Sequence, residues 1–191
     1  MDLLALDEMV FRWINVEGHN VILDYLLPFV RNKYFWAPLY IFALSFILIN
    51  FPKKGWLFLL SFAICISLAD TLSSRVLKKN VKRLRPCKQE ILKSDVNLLV
   101  RCGSGYSFPS SHATNHFAAA FFFIFTLGQS YKRIIFPLLV WAGLISFAQV
   151  YVGVHFPVDV ICGGLLGFFL GKLVAWLYIR FSLERGLKIV G

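Results

Sequence analysis

Residues 134–179 read IIFPLLVWAGLISFAQVYVGVHFPVDVICGGLLGFFLGKLVAWLYI, and they settle what kind of molecule this is. Two apolar runs, Ile134–Val154 and Val158–Ile179, flank a short turn carrying His155, Pro157 and Asp159. Across the whole stretch the only Asp, Glu, Lys or Arg residues are Asp159 and Lys172. Each run is long enough to cross a bilayer, which takes roughly 17–25 residues at 1.5 Å rise. In the second run Gly163, Gly167 and Gly171 recur every four residues. That spacing lines them on one helix face and predicts close packing inside a bundle.

Working outward, the same reading extends to the rest of the chain. It has 191 residues, enough for one domain, and is 58% hydrophobic but only 16% charged. Its mean hydropathy is +0.69. A soluble domain is about 25% charged, so a core of this size has no room for so much apolar surface. Further apolar runs are Trp36–Phe51, Gly55–Leu77 and Ala113–Gly128. The chain therefore reads as an all-α, polytopic membrane helix bundle of five to six transmembrane helices. Leu3, Leu6, Val10 and Trp13, interleaved with Asp2, Asp7, Glu8 and Arg12, predict an N-terminal amphipathic helix at the interface. Val21–Val30, broken by Asp24 and Pro28, is a second short apolar piece. Residues 1–33 are thus expected to be interfacial and 34–191 to form the helical core; a sixth span arises if the two N-terminal pieces combine. The acidic start lacks a basic region ahead of a long apolar core, so an internal span is expected to direct insertion. Asp70 and Lys172 lie within apolar runs and are expected to face the bundle or snorkel, without a chemical role.

The net charge is +10. Arg75, Lys78, Lys79, Lys82, Arg83, Arg85, Lys88, Lys93 and Arg101 gather in one stretch. A nucleic-acid partner is disfavoured because little of the chain offers a soluble face. The connections Pro52-Lys53-Lys54 and Ser130-Tyr131-Lys132-Arg133 and the tail with Arg180, Arg185 and Lys188 are also basic. With five alternating spans these three share a side, and the positive-inside rule makes it cytoplasmic. The basic 78–111 loop then lies on the opposite face, its charges reserved for a ligand.

Three polar clusters emerge on that opposite face. The first is KKNVKRLRP (78–86), the second PSSH (109–112), the third HFPVD (155–159). Lys78 and Arg85 offer a point charge and a planar fork suited to phosphate oxygens. Ser110 stands where a helix N-cap belongs, and the amides of Ser111 and His112 open a helix whose N-terminus attracts anions. Asp159, four residues after His155, is placed to accept a hydrogen bond from one imidazole nitrogen and leave the other free to attack. Each cluster alone has a plainer reading: a topological charge run, a simple cap, an acid in a first helical turn. His112 and His116 also have the spacing of two zinc ligands, but no third ligand is evident and no metal or other cofactor is expected.

In order and spacing the three clusters resemble the type-2 phosphatidic acid phosphatases, membrane relatives of vanadium haloperoxidases. The family pattern is K-x6-R-P, P-S-x-H and S-R-x5-H-x3-D; here the third motif reads AQVYVGVHFPVD (148–159). The resemblance implies that His155 attacks phosphorus, Asp159 orients it, and His112 protonates the leaving oxygen and then activates water. It implies that Lys78, Arg85, Ser110 and the Ser111 region hold the phosphoryl oxygens. The implied substrate is a lipid phosphate or pyrophosphate in the bilayer (undecaprenyl pyrophosphate, phosphatidylglycerol phosphate, phosphatidate or a lipid A phosphate). The implied location is a bacterial-type inner membrane with an extracytoplasmic active face.

The family's Ser-Arg pair is Ala148-Gln149 here. Gln149 can donate a hydrogen bond to phosphate but carries no charge. Either another cation substitutes, with Arg83 and Arg101 as candidates, or activity is reduced or specialised. On an extracytoplasmic face Cys87 and Cys102 are expected to pair, closing a loop of about fifteen residues worth about 3 kcal/mol by chain entropy. Cys65 and Cys162 read as inert packing residues. Competing functions are a lipid phosphotransferase using the same histidine and a catalytically silent membrane scaffold or transporter. The oligomeric state is left open.

Overall fold

The computed structural model describes residues 2–52 and 54–184, and all their regular elements are helical. Lys53, Arg185 and Lys188, counted above among the basic topology signals, lie outside the described residues. Helix α1 (Leu3–Arg12) runs into a wider turn at Trp13–Glu17, followed by α2 (Val21–Val30) and α3 (Ala37–Asn50). Helix α4 (Gly55–Asp70) continues through a π-type segment, Thr71–Leu77, into α5 (Lys78–Val81). After a long loop come α6 (Ser111–Thr126), α7 (Ile135–Tyr151) and α8 (Pro157–Glu184). Three stretches, Gly55–Val81, Lys132–Tyr151 and Pro157–Leu183, are long and apolar enough to cross a membrane. Shorter apolar helices, including α2 and α3, complete the all-α membrane bundle. Outward side chains such as Phe136, Phe169 and Ile161 are large, apolar and exposed, as a lipid solvent permits.

Helix α8 lies against α6 with almost no side-chain separation, and the glycine stripe is the reason. A Cβ at Gly163 would stand 2.6 Å from the Ser110 carbonyl oxygen, one at Gly167 2.5 Å from that of Thr114, and one at Gly171 2.6 Å from that of Ala118. Backbone therefore meets backbone over three successive turns. Beside this seam an aromatic core of Phe58, Phe122 and Tyr178 joins α4, α6 and α8, with Phe58 ring centroids 5.1 and 5.4 Å from its two neighbours.

Helices α2 and α3 run antiparallel to α7. Tyr151 Oη donates to Asp24 Oδ1 at 2.7 Å and accepts from the Asn20 amide at 2.9 Å. Leu27 packs with Ala148, Tyr151, Val152 and Val154. Farther along, the Trp36 and Tyr40 rings meet Trp141 at 6.1 and 6.5 Å. The carbonyl of Val30 at the end of α2 is satisfied by Trp36 Nε1 at 2.7 Å.

Helix α1 is amphipathic, and its inward face joins an acid, Asp7, to an aromatic, Phe11. Leu3, Leu6 and Trp13, the stripe read from the sequence, are exposed on the outside, where a bilayer would cover them. Asp7, Phe11 and Asn15 are buried against the protein. Phe11 packs on Phe156 at 5.3 Å. Asn15 Nδ2 donates to the carbonyls of Tyr151 and Asn97 at 2.6 and 2.9 Å, and its Oδ1 accepts from the Asn97 amide at 2.9 Å. The first helix thus clamps the end of α7 to the long loop.

Gly167→Val forces branched carbons into the space held by the Thr114 carbonyl. It is expected to cost about 1–3 kcal/mol through overpacking, read as a lower thermal unfolding midpoint in detergent. Val substituted at Gly105, where an added Cβ meets nothing within 4 Å, is the control and should shift the midpoint far less.

Candidate active site

Helix α7 ends at Tyr151, and Gly153 turns the chain with φ +83°. A side chain is doubly unwelcome there: the left-handed region favours glycine, and an added Cβ would stand 2.6 Å from Val96 Cγ1. The amides of Val154 and His155 then both return to the Gln149 carbonyl at 3.2 Å. This tight exit carries the His155 side chain into the interior, where it is 2% exposed.

The two ring nitrogens of His155 meet opposite kinds of group. Nδ1 lies 3.5 Å from Asp159 Oδ2, and Nε2 lies 3.2 Å from Arg85 Nη1. A guanidinium can only donate, so Nε2 carries the lone pair and Nδ1 the proton. Burial holds the imidazole pKa down to about 4, against the upward pull of Asp159 and with help from the nearby charges of Arg85 and Lys78. The ring is therefore neutral at ordinary pH, with an unprotonated nitrogen turned toward a cation.

Asp159 is itself fixed from three directions. Oδ2 accepts from the Phe156 amide at 2.9 Å, which closes the first turn of α8. Oδ1 accepts from Arg83 Nη1 at 2.8 Å. Arg83 Nη2 reaches Asp7 Oδ2 at 2.6 Å, and Asp7 Oδ1 accepts from the Val158 amide at 2.9 Å. The guanidinium also lies 4.1 Å from the centre of the Phe156 ring. Arg83 is thus committed to two buried carboxylates. The expectation that it replaces the missing arginine in a phosphate clamp is corrected: its donors are engaged behind the histidine. Arg101, the other candidate, is exposed on the loop beside Cys102.

The cations of the first cluster stand in front. Lys78 follows directly on the π-type segment, and its charge is felt by both His112 and His155. Arg85 Nε donates to the Gly105 carbonyl at 3.0 Å and Nη1 to that of Val154 at 3.0 Å. Burial lowers the Arg85 pKa, and Asp159 partly restores it. The structure pairs Cys87 with Cys102, whose Cα atoms are 6.2 Å apart. That bond ties the residues just after Arg85 to the 103–105 segment its guanidinium rests on.

At the start of α6, Ser110 is fully buried and caps the helix, its Oγ facing the Ala113 amide at 3.5 Å. Its own amide donates to the Asp159 carbonyl at 2.9 Å, locking the second cluster to the third. Among the described residues the buried Ser111 Oγ has no partner. Burial, the cations Arg31 and Lys78, and the rings of His116 and His155 hold the His112 pKa down to about 3. His116 instead bonds backward, Nδ1 to the His112 carbonyl at 2.8 Å, with its ring on Trp141 at 4.9 Å. Gln149 is fully buried, and its Nε2 donates within its own helix to the Ile145 carbonyl at 3.2 Å. One of the two amide hydrogens expected to serve phosphate is thus engaged within the helix. An apolar cavity of about 650 Å³ between α6, α7 and α8, lined by Phe117, Phe147, Leu165 and Phe168 among others, contains none of these charged groups.

Two residues here lie outside the sequence motifs. In sequence Asp7 is one of several acidic N-terminal residues, and its signal is the four-residue spacing to buried Phe11. Arg31 continues the ladder Leu23, Leu27 on α2.

Arg83→Met is expected to destabilise the protein by about 3–5 kcal/mol, because it strands two buried carboxylates. Arg83→Lys should retain part of that stability. Thermal unfolding in detergent compares the three proteins.

A family model described as the PAP2 superfamily matches residues 54–182. A lipid A 4'-phosphatase of Bacteroides thetaiotaomicron is 34% identical over 158 residues, covering 81% of this chain and 69% of the relative. An undecaprenyl-diphosphatase of Sulfolobus acidocaldarius is 33% identical over 167 residues, covering 83% and 71%. The crystal structure of Aquifex aeolicus LpxE superposes with a TM-score of 0.66 at 30% identity, covering 88% of this chain and 94% of that one. The family match spans the helices and loops that carry Lys78, Arg85, His112, His155 and Asp159, so the chain belongs to the PAP2 superfamily.

Proposed function

We propose that this chain is an integral membrane phosphatase that removes phosphate from a lipid phosphomonoester or pyrophosphate by way of a phospho-histidine at His155. The observation that carries the reading is the placement of His155 between Asp159 and Arg85, which leaves Nε2 unprotonated and facing the cations. Nε2 attacks phosphorus, a P–N bond forms, and the P–O bond to the lipid breaks. His112, whose pKa burial and the surrounding cations hold down to about 3, gains a proton as the anionic phosphoryl group binds and gives it to the departing oxygen. The same imidazole then takes a proton from water, whose oxygen attacks phosphorus, breaks the P–N bond and frees phosphate. Asp159 keeps the Nδ1 proton in place and stabilises the positive ring of the intermediate. Lys78 and Arg85 stabilise the charge on the phosphoryl oxygens. Ser111 Oγ, buried and unpartnered, is a further donor at the rim.

The lipid A 4'-phosphatase and undecaprenyl-diphosphatase relatives support a substrate whose apolar part stays in the bilayer. The positive-inside rule favours an extracytoplasmic site. The Cys87–Cys102 pairing is consistent with that side, where disulfides persist. A bacterial-type inner membrane is the setting this reading adopts.

Detergent-purified protein is expected to release phosphate from at least one of a polyprenyl pyrophosphate, a phosphatidylglycerol phosphate, a phosphatidate and a lipid A phosphate. His155→Ala should reduce release to background. Unchanged release by that variant would remove His155 from the mechanism, and transfer of phosphate to an added lipid alcohol instead of water would favour a phosphotransferase.

The pH dependence follows from the lowered His155 pKa. The unfolded chain takes up this proton near pH 6.5, whereas the folded site resists it down to about 4. This contribution to stability is thus fully present above pH 6.5 and declines as the pH falls toward 4. Because Nε2 stays unprotonated across that window, kcat/KM should show no loss attributable to His155 until the pH approaches about 4 to 5. Comparing wild type with Asp159→Asn checks the assignment, since removing the carboxylate should move any such limb lower still.

A further inference from the structure

Three cations act on the two histidines, Arg85 at 3.2 Å from His155 Nε2 and Lys78 and Arg31 through their charges, and Arg31 comes from outside all three sequence motifs. Arg31 follows the last turn of α2. Four residues earlier on the same helical ladder, Leu27 packs against Ala148, Tyr151, Val152 and Val154, the residues around the His155 turn. One residue earlier, the Val30 carbonyl holds Trp36, whose ring meets Trp141 at 6.1 Å. Trp141 in turn touches His116, which stacks parallel to His112 at 6.3 Å. With α2 and α3 antiparallel to α7, position 31 falls between the level of Ala148 and that of Trp141. That is the stretch of α7 containing Ile145, one helical turn from Gln149.

Arg31 arrives there without a counter-charge. Among the described residues no carboxylate stands within ion-pair distance of it. Among the described residues its buried Nε has no hydrogen-bond partner. The Arg85 charge acts on it, and its own charge in turn disfavours protonation of His112. Burial and the Arg85 charge hold its pKa down to about 10, still high enough to keep it charged at ordinary pH. A half-buried guanidinium within the field of another cation is costly unless an anion completes the group. Gln149, which the family pattern would make an arginine, is neutral, and its Nε2 is bonded within its own helix.

We propose that Arg31 is the third phosphate-binding cation of this site, reaching from α2 to the phosphoryl oxygens on the side where Gln149 provides no charge. The inference rests on the phosphatase reading above. It names an arginine supplied by the N-terminal part of the chain, ahead of the matched 54–182 segment. The ligand is the phosphoryl group itself, so free inorganic phosphate should share the contact.

The test uses full-length protein in detergent, with Arg31→Gln, Arg31→Lys and His155→Ala beside the wild type. For each, phosphate release gives kcat and KM, inhibition by added inorganic phosphate gives an inhibition constant, and thermal unfolding reports the fold. Arg31→Gln is expected to lower kcat/KM by about 10- to 100-fold and to weaken phosphate inhibition by a comparable factor, the range for losing a charge-assisted bond. Its unfolding midpoint should hold or rise, because an unpaired buried charge is gone. Arg31→Lys should recover part of both constants. If Arg31→Gln inhibits and turns over like the wild type while His155→Ala is dead, the Arg31 inference fails and the phosphatase reading stands. If Arg31→Gln loses activity only in step with a lower midpoint, and phosphate inhibits the folded fraction as before, Arg31 is structural and the inference also fails. If His155→Ala retains full release, the underlying reading fails instead.

Discussion

Arg83 is wedged between the carboxylates of Asp7 and Asp159, at 2.6 and 2.8 Å, and the polar interior of this protein depends on that contact. Neither carboxylate can be left alone: the Asp159 side chain is fully buried and that of Asp7 only 1% exposed, and an isolated ionised carboxylate in such a place is very costly. The guanidinium supplies two parallel donors and is covered on one side by the Phe156 ring. Asp159 can then stay ionised while turning its other oxygen to the Phe156 amide and to His155. The same contact anchors the first helix, since Asp7 also accepts from the Val158 amide. One planar cation thereby sets the position of α1, the start of α8 and the orientation of the proposed nucleophile.

The charge in front of His155 is arranged the other way. Lys78, Arg85 and Arg31 are gathered with no carboxylate in ion-pair contact among the described residues. Behind the ring the charges are neutralised; ahead of it they are not. Such an excess of positive charge in a poorly hydrated place suits a phosphoryl group, and it is worth more there than in water. The two sides are separated by one imidazole, whose Nδ1 faces the carboxylate and whose Nε2 faces the cations.

Much of this was legible in residue order. The spacing of apolar runs predicts the membrane bundle, and Gly163, Gly167 and Gly171 predict the α6–α8 seam, because a helix repeats its faces at fixed intervals. Lys78, Arg85, Ser110, His112, His155 and Asp159 carry their resemblance in local spacing. What eluded the sequence were contacts between distant segments. Arg83 lies beside Arg85 in the chain and looked equally free, yet it faces the opposite way, because a two-residue step in extended chain does not fix which partner a long side chain finds. Asp7 and Arg31 fall in the segment expected to be interfacial, and nothing in a single sequence shows that α1 turns Asp7 inward with Phe11 or that α2 lies along α7. Gln149 stands where the family pattern has an arginine, and local spacing does not show that one of its amide hydrogens bonds to the Ile145 carbonyl.

The central claim is covalent catalysis at His155. Protein mixed with a lipid phosphate that it turns over, quenched in alkali to preserve P–N bonds, digested and mapped by mass spectrometry, tests it most directly. The account predicts a single phosphorylated residue, His155, which disappears when the quench is delayed past substrate exhaustion. Phosphate on Ser110, Ser111 or His112, or turnover with no phosphorylated residue in samples where a synthetic phospho-histidine peptide survives the same work-up, would contradict it.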